Sequence, residues 1–311
     1  MKSLANRKRN PLEQTTIDHR RYVLDKWIYP FFENHLLADV NNRAMKEFVE
    51  LMSADLAPAS IRDYMNHVKS IVGSAINDDG EELFPRKWND EYIDAPIIKD
   101  QRQPTTNGEA LTIIIDRAVG QYQVLYALLA GCGPLRVGEA LGLEIGKHIS
   151  EDCRTLYVMQ KAKGGIIQDH LKTKNGKREV DLCESLATVL RNFIGERKSG
   201  LAFQTASGRQ LLQSNTLQDS LHPILDGMKH VKGGFNIFRR FRITFLEKSD
   251  CPEKLKHFWS GHAPRHVSER YVKLWGEREY RLDWAERLGT GFKIPASIGT
   301  LGPLRVVSNA A

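Results

Sequence analysis

The stretch GPLRVGEALGL, residues 133–143, is the part of the sequence that decides the fold. Its arginine, Arg136, stands at the start of an otherwise apolar helix, and the flanking glycines permit a close approach of the backbone. A charged side chain in such a place needs a partner, and Glu139 follows three residues later on the same helical face. Taken alone, the pattern favours a structural salt bridge between Arg136 and Glu139.

Three further segments combine charged or nucleophilic side chains in unusual ways. The segment LKTKNGKREVDL, residues 171–182, is a basic hairpin candidate, although the tips of hairpins are often only solvated lysines. In FNIFRRFRIT, residues 235–244, three arginines alternate with aromatic residues on an expected helix, and one of the three should face inward. The segment SGHAPRHVSERY, residues 260–271, places His262 nine positions before Tyr271, a pair that alone would usually indicate packing.

The first 95 residues predict a small helical bundle, because apolar residues recur at helical spacing in three segments. Pro30 should end the first helix near Tyr29, and the second helix covers about 43–52. Pro58 and Ser60 mark the start of the third. The apolar stripe of the third helix is expected to be core; it consists of Ile61, Tyr64, Met65, Val68, Ile71, Val72 and Ile76.

Residues 96–106 lose periodicity and combine prolines with charged side chains, which indicates a linker between two domains. The second domain is expected over 107–288, with helices around three extended runs near 155–160, 165–171 and 178–182. The pair Asn175-Gly176 predicts a hairpin turn between the last two runs, and 289–311 forms a C-terminal tail. The sequence therefore predicts a mainly α protein with a small antiparallel β-sheet.

Composition favours a polyanionic partner, since the 311 residues carry 45 Lys and Arg against 38 Asp and Glu. Nucleic acid is the first candidate, although ordinary solubilising charge also accounts for a net charge of +7. The four cysteines form no CxxC pair, so neither a structural zinc site nor a disulfide framework is indicated. Because no apolar run is long enough to cross a bilayer, we expect a cytoplasmic protein without membrane contact.

Taken together, the four segments resemble the tyrosine recombinase (phage integrase) family. The catalytic domain of that family orders an arginine in a GLRxGE-like box, a lysine in a β-hairpin, an HxxR box, then GH and a tyrosine. Here GPLRVGE, KTKNGKREVDL, NIFRR, SGH and SERY occur in the same order. The resemblance covers nearly the whole chain and implies a helical core-binding domain over 1–95 that contacts DNA, followed by a catalytic integrase domain over 107–288.

By this resemblance, the chain is expected to be a site-specific recombinase that breaks and rejoins double-stranded DNA at recombination sites. It would act at the nucleoid as a tetramer on DNA, without metal, ATP or another cofactor. Tyr271 matches the nucleophile, which attacks the scissile phosphate and forms a 3′-phosphotyrosyl bond. Because the free pKa of tyrosine is about 10, the site must help to remove its proton.

The remaining site residues follow from the same boxes. Arg136 and Arg239 match the arginines that grip the non-bridging phosphate oxygens, with Arg240 and Arg242 as adjacent alternatives to Arg239. His262 matches a histidine that hydrogen-bonds the phosphate, and Glu139 is expected to support the site indirectly. The hairpin lysine that protonates the leaving 5′-oxygen matches Lys172, with Lys174 as the alternative in a register shifted along the hairpin.

Asn236 departs from the family pattern, because it stands where the HxxR box has histidine. An asparagine can donate a hydrogen bond to a phosphate oxygen or to Tyr271, but it cannot exchange a proton near neutral pH. Proton removal from Tyr271 is therefore expected to be slower than with a histidine.

Several alternatives remain open at this stage. The Asn236 departure is compatible with a DNA-binding member of the family that is catalytically impaired, and His257, His262 and His266 suggest a metal-dependent nuclease, although no carboxylate pair accompanies them. Integration or excision of a phage or mobile element is favoured over resolution of chromosome dimers. The segment 277–292 is the candidate for exchange between neighbouring subunits, with packing inside its own chain as the alternative.

Overall fold

The chain forms two compact units, Met1–Arg102 and Gln103–Ala311, whose boundary falls within the predicted linker. The structure is a computed structural model, and it describes residues 12–99, 103–169, 171, 176–261 and 274–300. About 52% of the chain is helical, and the described residues form two small antiparallel sheets, so the predicted fold class is confirmed. Which unit contacts DNA and which cuts it stays a prediction.

The first unit is a helical bundle around a single apolar core. Its helices are α1 (Gln14–Val23), α2 (Tyr29–Phe32), α3 (Asn42–Ser53) and α4 (Pro58–Val72). Asn41 starts α3, because its side chain accepts hydrogen bonds from the backbone N–H groups of Arg43 and Ala44. The stripe predicted for α4 lies mostly in the core, but Ile71, in the last turn of the helix, and Ile76, which lies beyond its end, are exposed.

The sequence predicted that Pro30 ends the first helix near Tyr29, and this prediction is wrong. A π-helical turn, Leu24–Ile28, precedes it, and the N–H of Tyr29 donates to the carbonyl of Leu24, five residues back. The wider turn accommodates a ring that would collide with the backbone of a regular α-helix. The same arrangement recurs in the second unit, where the π turn Leu217–Leu221 precedes Pro223.

In the second unit, the described residues form helices and four short strands around a larger apolar core. The helix α6 (Gln121–Gly131) runs through its middle and is buried along nearly its whole length. The other helices are α5 (Gly108–Arg117), α7 (Val137–Leu141), α8 (Glu184–Ile194), α9 (Gln213–Thr216), α10 (His222–Gly227), α11 (Asn236–Lys248), α12 (Glu253–Ser260) and α13 (Arg278–Leu288). The strands are β1 (Thr155–Val158), β2 (Lys161–Lys163), β3 (Ile166–Gln168) and β4 (Arg178–Asp181).

The strands pair differently from the predicted hairpin over 165–182. Strand β1 pairs with β4, with Leu156 opposite Val180, while β3 pairs with β2. The turn between β2 and β3 consists of Gly164 and Gly165, both at positive φ, which is the conformation that a tight hairpin turn requires. Of the predicted Asn175-Gly176 turn, Asn175 lies outside the described residues.

The residues after α12 pack within their own chain where the structure describes them. In α13, which lies in the segment predicted for exchange, Arg281 and Ala285 are buried. Trp284 and Leu288 pack on a cluster that includes Trp259. Further on, Ile298 is buried in the main core of the second unit, so the tail from 289 to 298 also docks on its own chain.

Candidate active site

Arg136 lies immediately before α7, where the chain turns from an extended conformation into the helix. Its guanidinium donates from Nη1 to Oε1 of Glu139 at 2.9 Å, and its backbone N–H donates to Oε2 at 2.8 Å. The salt bridge considered in the sequence is therefore present. The salt bridge leaves part of the guanidinium accessible, because the side chain of Arg136 is 42% exposed and can contact a ligand.

Glu139 is held mainly by Arg178, which lies on β4. Nη2 of Arg178 donates to Oε2 of Glu139 at 2.8 Å, and both side chains are almost completely buried. Arg178 also donates to main-chain carbonyls, from Nε to Trp259 at 2.7 Å and from Nη1 to Gly176 at 2.9 Å. A buried ion pair of this kind needs such extra hydrogen bonds to offset the loss of hydration.

Arg239 reaches the same place from the first turns of α11. Its Nη1 donates to the carbonyl of Pro134, which also accepts from Nη2 of Arg178, and its Nη2 donates to the carbonyl of Ser260 at 2.9 Å. Arg136 and Arg239 therefore both lie at the turn around Pro134, where their charges interact, and their proposed roles stay predictions. Gly133 permits this arrangement, because a Cβ there would lie 2.9 Å from side-chain atoms of Trp259 and Val180.

The electrostatics of this cluster favour an anion. Among the described residues, three guanidinium groups, those of Arg136, Arg178 and Arg239, lie around the carboxylate of Glu139, so that positive charge exceeds negative charge in this cluster. Burial, and then the positive charge of Arg136, lowers the pKa of Arg239 to about 10. A phosphate oxygen beside Arg136 and Arg239 would relieve this repulsion and receive charge-assisted hydrogen bonds.

Glu139 stays ionised in this surrounding. Burial acts to raise the pKa of its carboxyl group, but the charge and hydrogen bond of Arg178, with the contribution of Arg136, outweigh it and hold the pKa below its usual value. Glu139 therefore supports the arginines as a carboxylate and has no proton to give near neutral pH.

The other polar side chains near Arg239 on α11 make separate contacts or are exposed. Asn236 is exposed in the first turn of α11, three residues before Arg239 and so on the same helical face. Arg240 donates to the carbonyl of Pro104. Arg242 is buried and donates to the carbonyls of Gly289 and Thr290. These contacts separate Arg239 from its two neighbours in the sequence.

Several predicted site residues lie outside the described residues, namely Tyr271, His262, Lys172 and Lys174. Their roles stay predictions. The described residues include those just before His262. Trp259 and Ser260 accept hydrogen bonds from Arg178 and Arg239, and they directly precede Gly261 and His262 in the sequence.

Sequence reasoning missed Arg178 as a member of the site. The signal was the alternation along β4, in which Arg178 and Val180 share one face of the strand and both are buried. An inward arginine on a strand needs a buried acceptor. The acceptor, Glu139, lies 39 residues earlier and could not be paired with Arg178 from spacing alone.

Two further observations concern other classes of site. Among the described residues, no group of three or more His, Cys, Asp and Glu side chains is arranged to hold a metal ion. The described helices include none that is long and apolar enough to cross a membrane.

Comparisons with known proteins gave matches among solved structures alone, since no family model and no curated protein sequence matches the chain. A variant of the Tn1549 transposon integrase, in complex with a circular intermediate DNA, superposes with a TM-score of 0.66 over 88% of this chain and 95% of that chain, at 16% identity. The lambda integrase dimer bound to a COC′ core site gives 0.59 over 88% and 92%, at 15% identity.

The XerH site-specific recombinase bound to difH substrate gives a TM-score of 0.52 over 87% of this chain and 79% of that chain, at 19% identity. All three of these proteins are tyrosine recombinases. The chain therefore has the tyrosine recombinase fold, and the resemblance stated from the sequence is confirmed at the level of the fold.

Proposed function

We propose that this protein is a site-specific DNA recombinase that cleaves and rejoins DNA through a covalent bond between Tyr271 and a 3′-phosphate. The observation that carries the proposal is the pair Arg136 and Arg239, which converge with excess positive charge beside the chain that leads to His262. The fold shared with recombinases whose structures contain DNA supports the same conclusion.

In the proposed reaction, the oxygen of Tyr271 attacks the scissile phosphorus, and the 5′-oxygen of the DNA leaves. Arg136 and Arg239 would bind the non-bridging oxygens and stabilise the charge of the pentavalent transition state. Lys172 would supply a proton to the leaving oxygen, His262 would hydrogen-bond the phosphate, and Asn236 would donate a hydrogen bond near Tyr271. The phosphotyrosyl bond retains the energy of the phosphodiester, so rejoining would need neither ATP nor metal.

We further propose double-stranded recombination sites of a mobile element as the substrate, bound by four chains that bring two sites together. Two of the three similar structures are called integrases, which supports integration or excision. Resolution of chromosome dimers is the alternative, and the third similar structure, XerH bound to difH substrate, is called a site-specific recombinase and not an integrase. Two plasmids distinguish these substrates, one with two copies of the element ends in direct repeat and one with two copies of a chromosomal site. Deletion of the DNA between the copies shows which site is recombined.

The decisive test is covalent attachment to DNA. The protein is incubated in EDTA with nicked DNA from the borders of the genomic segment that carries its gene, and the products are separated by denaturing electrophoresis. We expect a protein–DNA adduct with wild type and with Tyr280→Phe, a matched control because Tyr280 is 41% exposed, and none with Tyr271→Phe. DNA binding without an adduct would instead indicate a member that has lost catalysis. Cleavage that leaves no adduct and that EDTA abolishes would indicate a metal-dependent nuclease.

A further inference from the structure

The two ends of the segment 262–273, which carries His262 and Tyr271, are both held by buried arginines. At the first end, Arg178 donates to the carbonyl of Trp259 at 2.7 Å and Arg239 to the carbonyl of Ser260 at 2.9 Å. The segment is therefore attached at its start to the same guanidinium groups that form the candidate phosphate site.

At the second end, Arg281 of α13 holds the chain. Its Nη1 donates to the carbonyl of Leu274 and, at 3.3 Å, to that of Trp275, the first two residues after the segment. The side chain of Arg281 is completely buried and is also paired with Glu179. A buried guanidinium in this position fixes the backbone at Leu274, because each of its donors needs an acceptor.

Asp181 connects the two ends. Its Oδ2 accepts from Nε1 of Trp259 and from Nε of Arg281, both at 2.8 Å, and its Oδ1 accepts from the hydroxyl of Thr155 at 3.0 Å. The Asp181 carboxylate, itself buried, thus fastens a residue just before the segment and the residue that holds its far end.

The strand β4 carries both connections, since Asp181 and Arg178 lie three residues apart on it. Arg178 sets the position of Glu139 and, through it, of Arg136. Residues of one strand, β4, therefore contact the groups that hold both ends of the segment and the cluster of candidate phosphate-binding arginines. This strand is paired with β1.

We propose that Asp181 is a positioning residue for strand cleavage, which acts through Trp259 and Arg281 to fix the two ends of the segment that carries Tyr271 relative to Arg136 and Arg239. The inference rests on the proposed role of Tyr271 as nucleophile. Misplacement of a reacting group by about 1 Å can cost roughly 100-fold in rate, so a support of this kind has a measurable effect.

The test uses two substitutions in the full-length protein and one control. Asp181→Asn keeps the shape of the side chain and removes its charge, and Arg281→Lys keeps a charge beside Asp181 while losing the fork that reaches Leu274 and Trp275. The control is Arg287→Lys in the same helix, where Arg287 is 63% exposed and paired with Asp283 on the surface.

Three quantities are measured well below the unfolding temperature: the cleavage rate at saturating DNA, the affinity for DNA, and hydrogen exchange of the peptide 262–276. We expect both variants to cleave about 10–100-fold more slowly, with affinity within about twofold of wild type. Exchange in 262–276 should rise, while exchange in α6 stays at the wild-type level. The control should match wild type in all three.

Normal cleavage by both variants, in a wild type that forms the adduct, would overturn the positioning role. A fall in DNA affinity equal to the fall in cleavage would overturn it too, because it would indicate a general structural defect. If wild type forms no adduct, the proposed function fails, and increased exchange confined to 262–276 would still support the attachment of both ends through Asp181.

Discussion

Arg178 on β4 and Glu139 on α7 form a buried ion pair in which Nη2 and Oε2 are 2.8 Å apart and the side chains are 1% and 4% exposed. The same carboxylate accepts two hydrogen bonds from Arg136, one from the backbone and one from the guanidinium. One buried charge thus neutralises an interior arginine and orients an exposed one. Stability and the candidate site depend on the same contact.

Glu139→Gln is therefore expected to destabilise the protein strongly. Removal of the negative charge leaves Arg178 buried without a counterion, which typically costs about 3–5 kcal/mol in the free energy of unfolding. Denaturant unfolding measures this loss. The matched change Asp283→Asn breaks an exposed pair with Arg287 and should cost no more than about 1 kcal/mol. Equal losses in the two variants would contradict the structural role assigned to Glu139.

The neighbouring arginines Arg239 and Arg242 should separate function from stability. Arg239→Lys removes the planar guanidinium that is proposed to bind the phosphate, and we expect strand cleavage to fall by roughly 100-fold or more. Arg242→Lys weakens the hydrogen bonds to Gly289 and Thr290 and should lower the free energy of unfolding by about 1.5–3 kcal/mol, with normal cleavage per folded molecule. Suicide-substrate cleavage and unfolding are compared for both variants, and a reversed pattern would show that Arg242 is the phosphate ligand.

A DNA substrate with sulfur at the 5′-bridging position tests which lysine protonates the leaving group. Because a thiolate leaves without a proton, this substrate should restore the cleavage that is lost when the acid is replaced. We expect rescue of Lys172→Met, while Lys174→Met cleaves both substrates at rates near wild type. Rescue of Lys174→Met alone would move the assignment to Lys174.

Asn236→His should leave cleavage unchanged or raise it. Asn236 is exposed on the same face of α11 as Arg239, so a larger ring there meets no buried neighbour, and imidazole can take a proton near neutral pH. The rate of adduct formation across pH 6–8 measures the effect. Asn236→Ala serves as the comparison, and a large loss with histidine would show that this position is not the histidine position of the box.

Acid should destabilise the second unit partly through Asp152. Partial burial acts to raise the pKa of its carboxyl group, but hydrogen bonds from Ser150 and Arg278 outweigh it and lower the pKa from 3.8 to about 2. A lowered folded-state pKa gives stability that is present above pH 3.8 and is lost as the pH falls towards about 2. As the pH falls through this range, the unfolding midpoint of wild type should therefore approach that of Asp152→Asn. A constant difference between the two midpoints at every pH would contradict the assignment.

The sequence predicted the helices whose apolar pattern repeats along a short stretch of the chain. Helical periodicity located α3, α4 and α11 to within a few residues, since their apolar faces repeat every three or four positions. The end of the first helix at Tyr29 was wrong, because a π turn that absorbs Pro30 leaves no simple trace in composition. The strand pairing was also wrong, because Gly164-Gly165 closes the hairpin before the run that contains Asn175.

The candidate site residues were taken from their order along the chain, and their roles stay predictions. Arg136 at the start of one apolar helix and Arg239 inside another stand out in the sequence, and Arg239 donates to the carbonyl of Pro134, two residues before Arg136. Arg178 and Asp181 could not be assigned, because the partners that explain their burial, Glu139 and Arg281, lie 39 and 100 residues away. Long-range pairing of buried charges depends on the folded topology, which spacing does not encode.

The hydrogen bonds that hold Arg178 and Arg239 depend on main-chain acceptors, which affects how far the sequence around them can change. Pro134 and Ser260 accept hydrogen bonds from Arg178 and Arg239 through their main-chain carbonyls, a group that every amino acid possesses. Substitution of the side chain at such a position leaves the acceptor in place, provided that the backbone keeps its course. A site built in this way tolerates drift in its surroundings, which suits a chain that keeps a fold at 15–19% identity with proteins of that architecture.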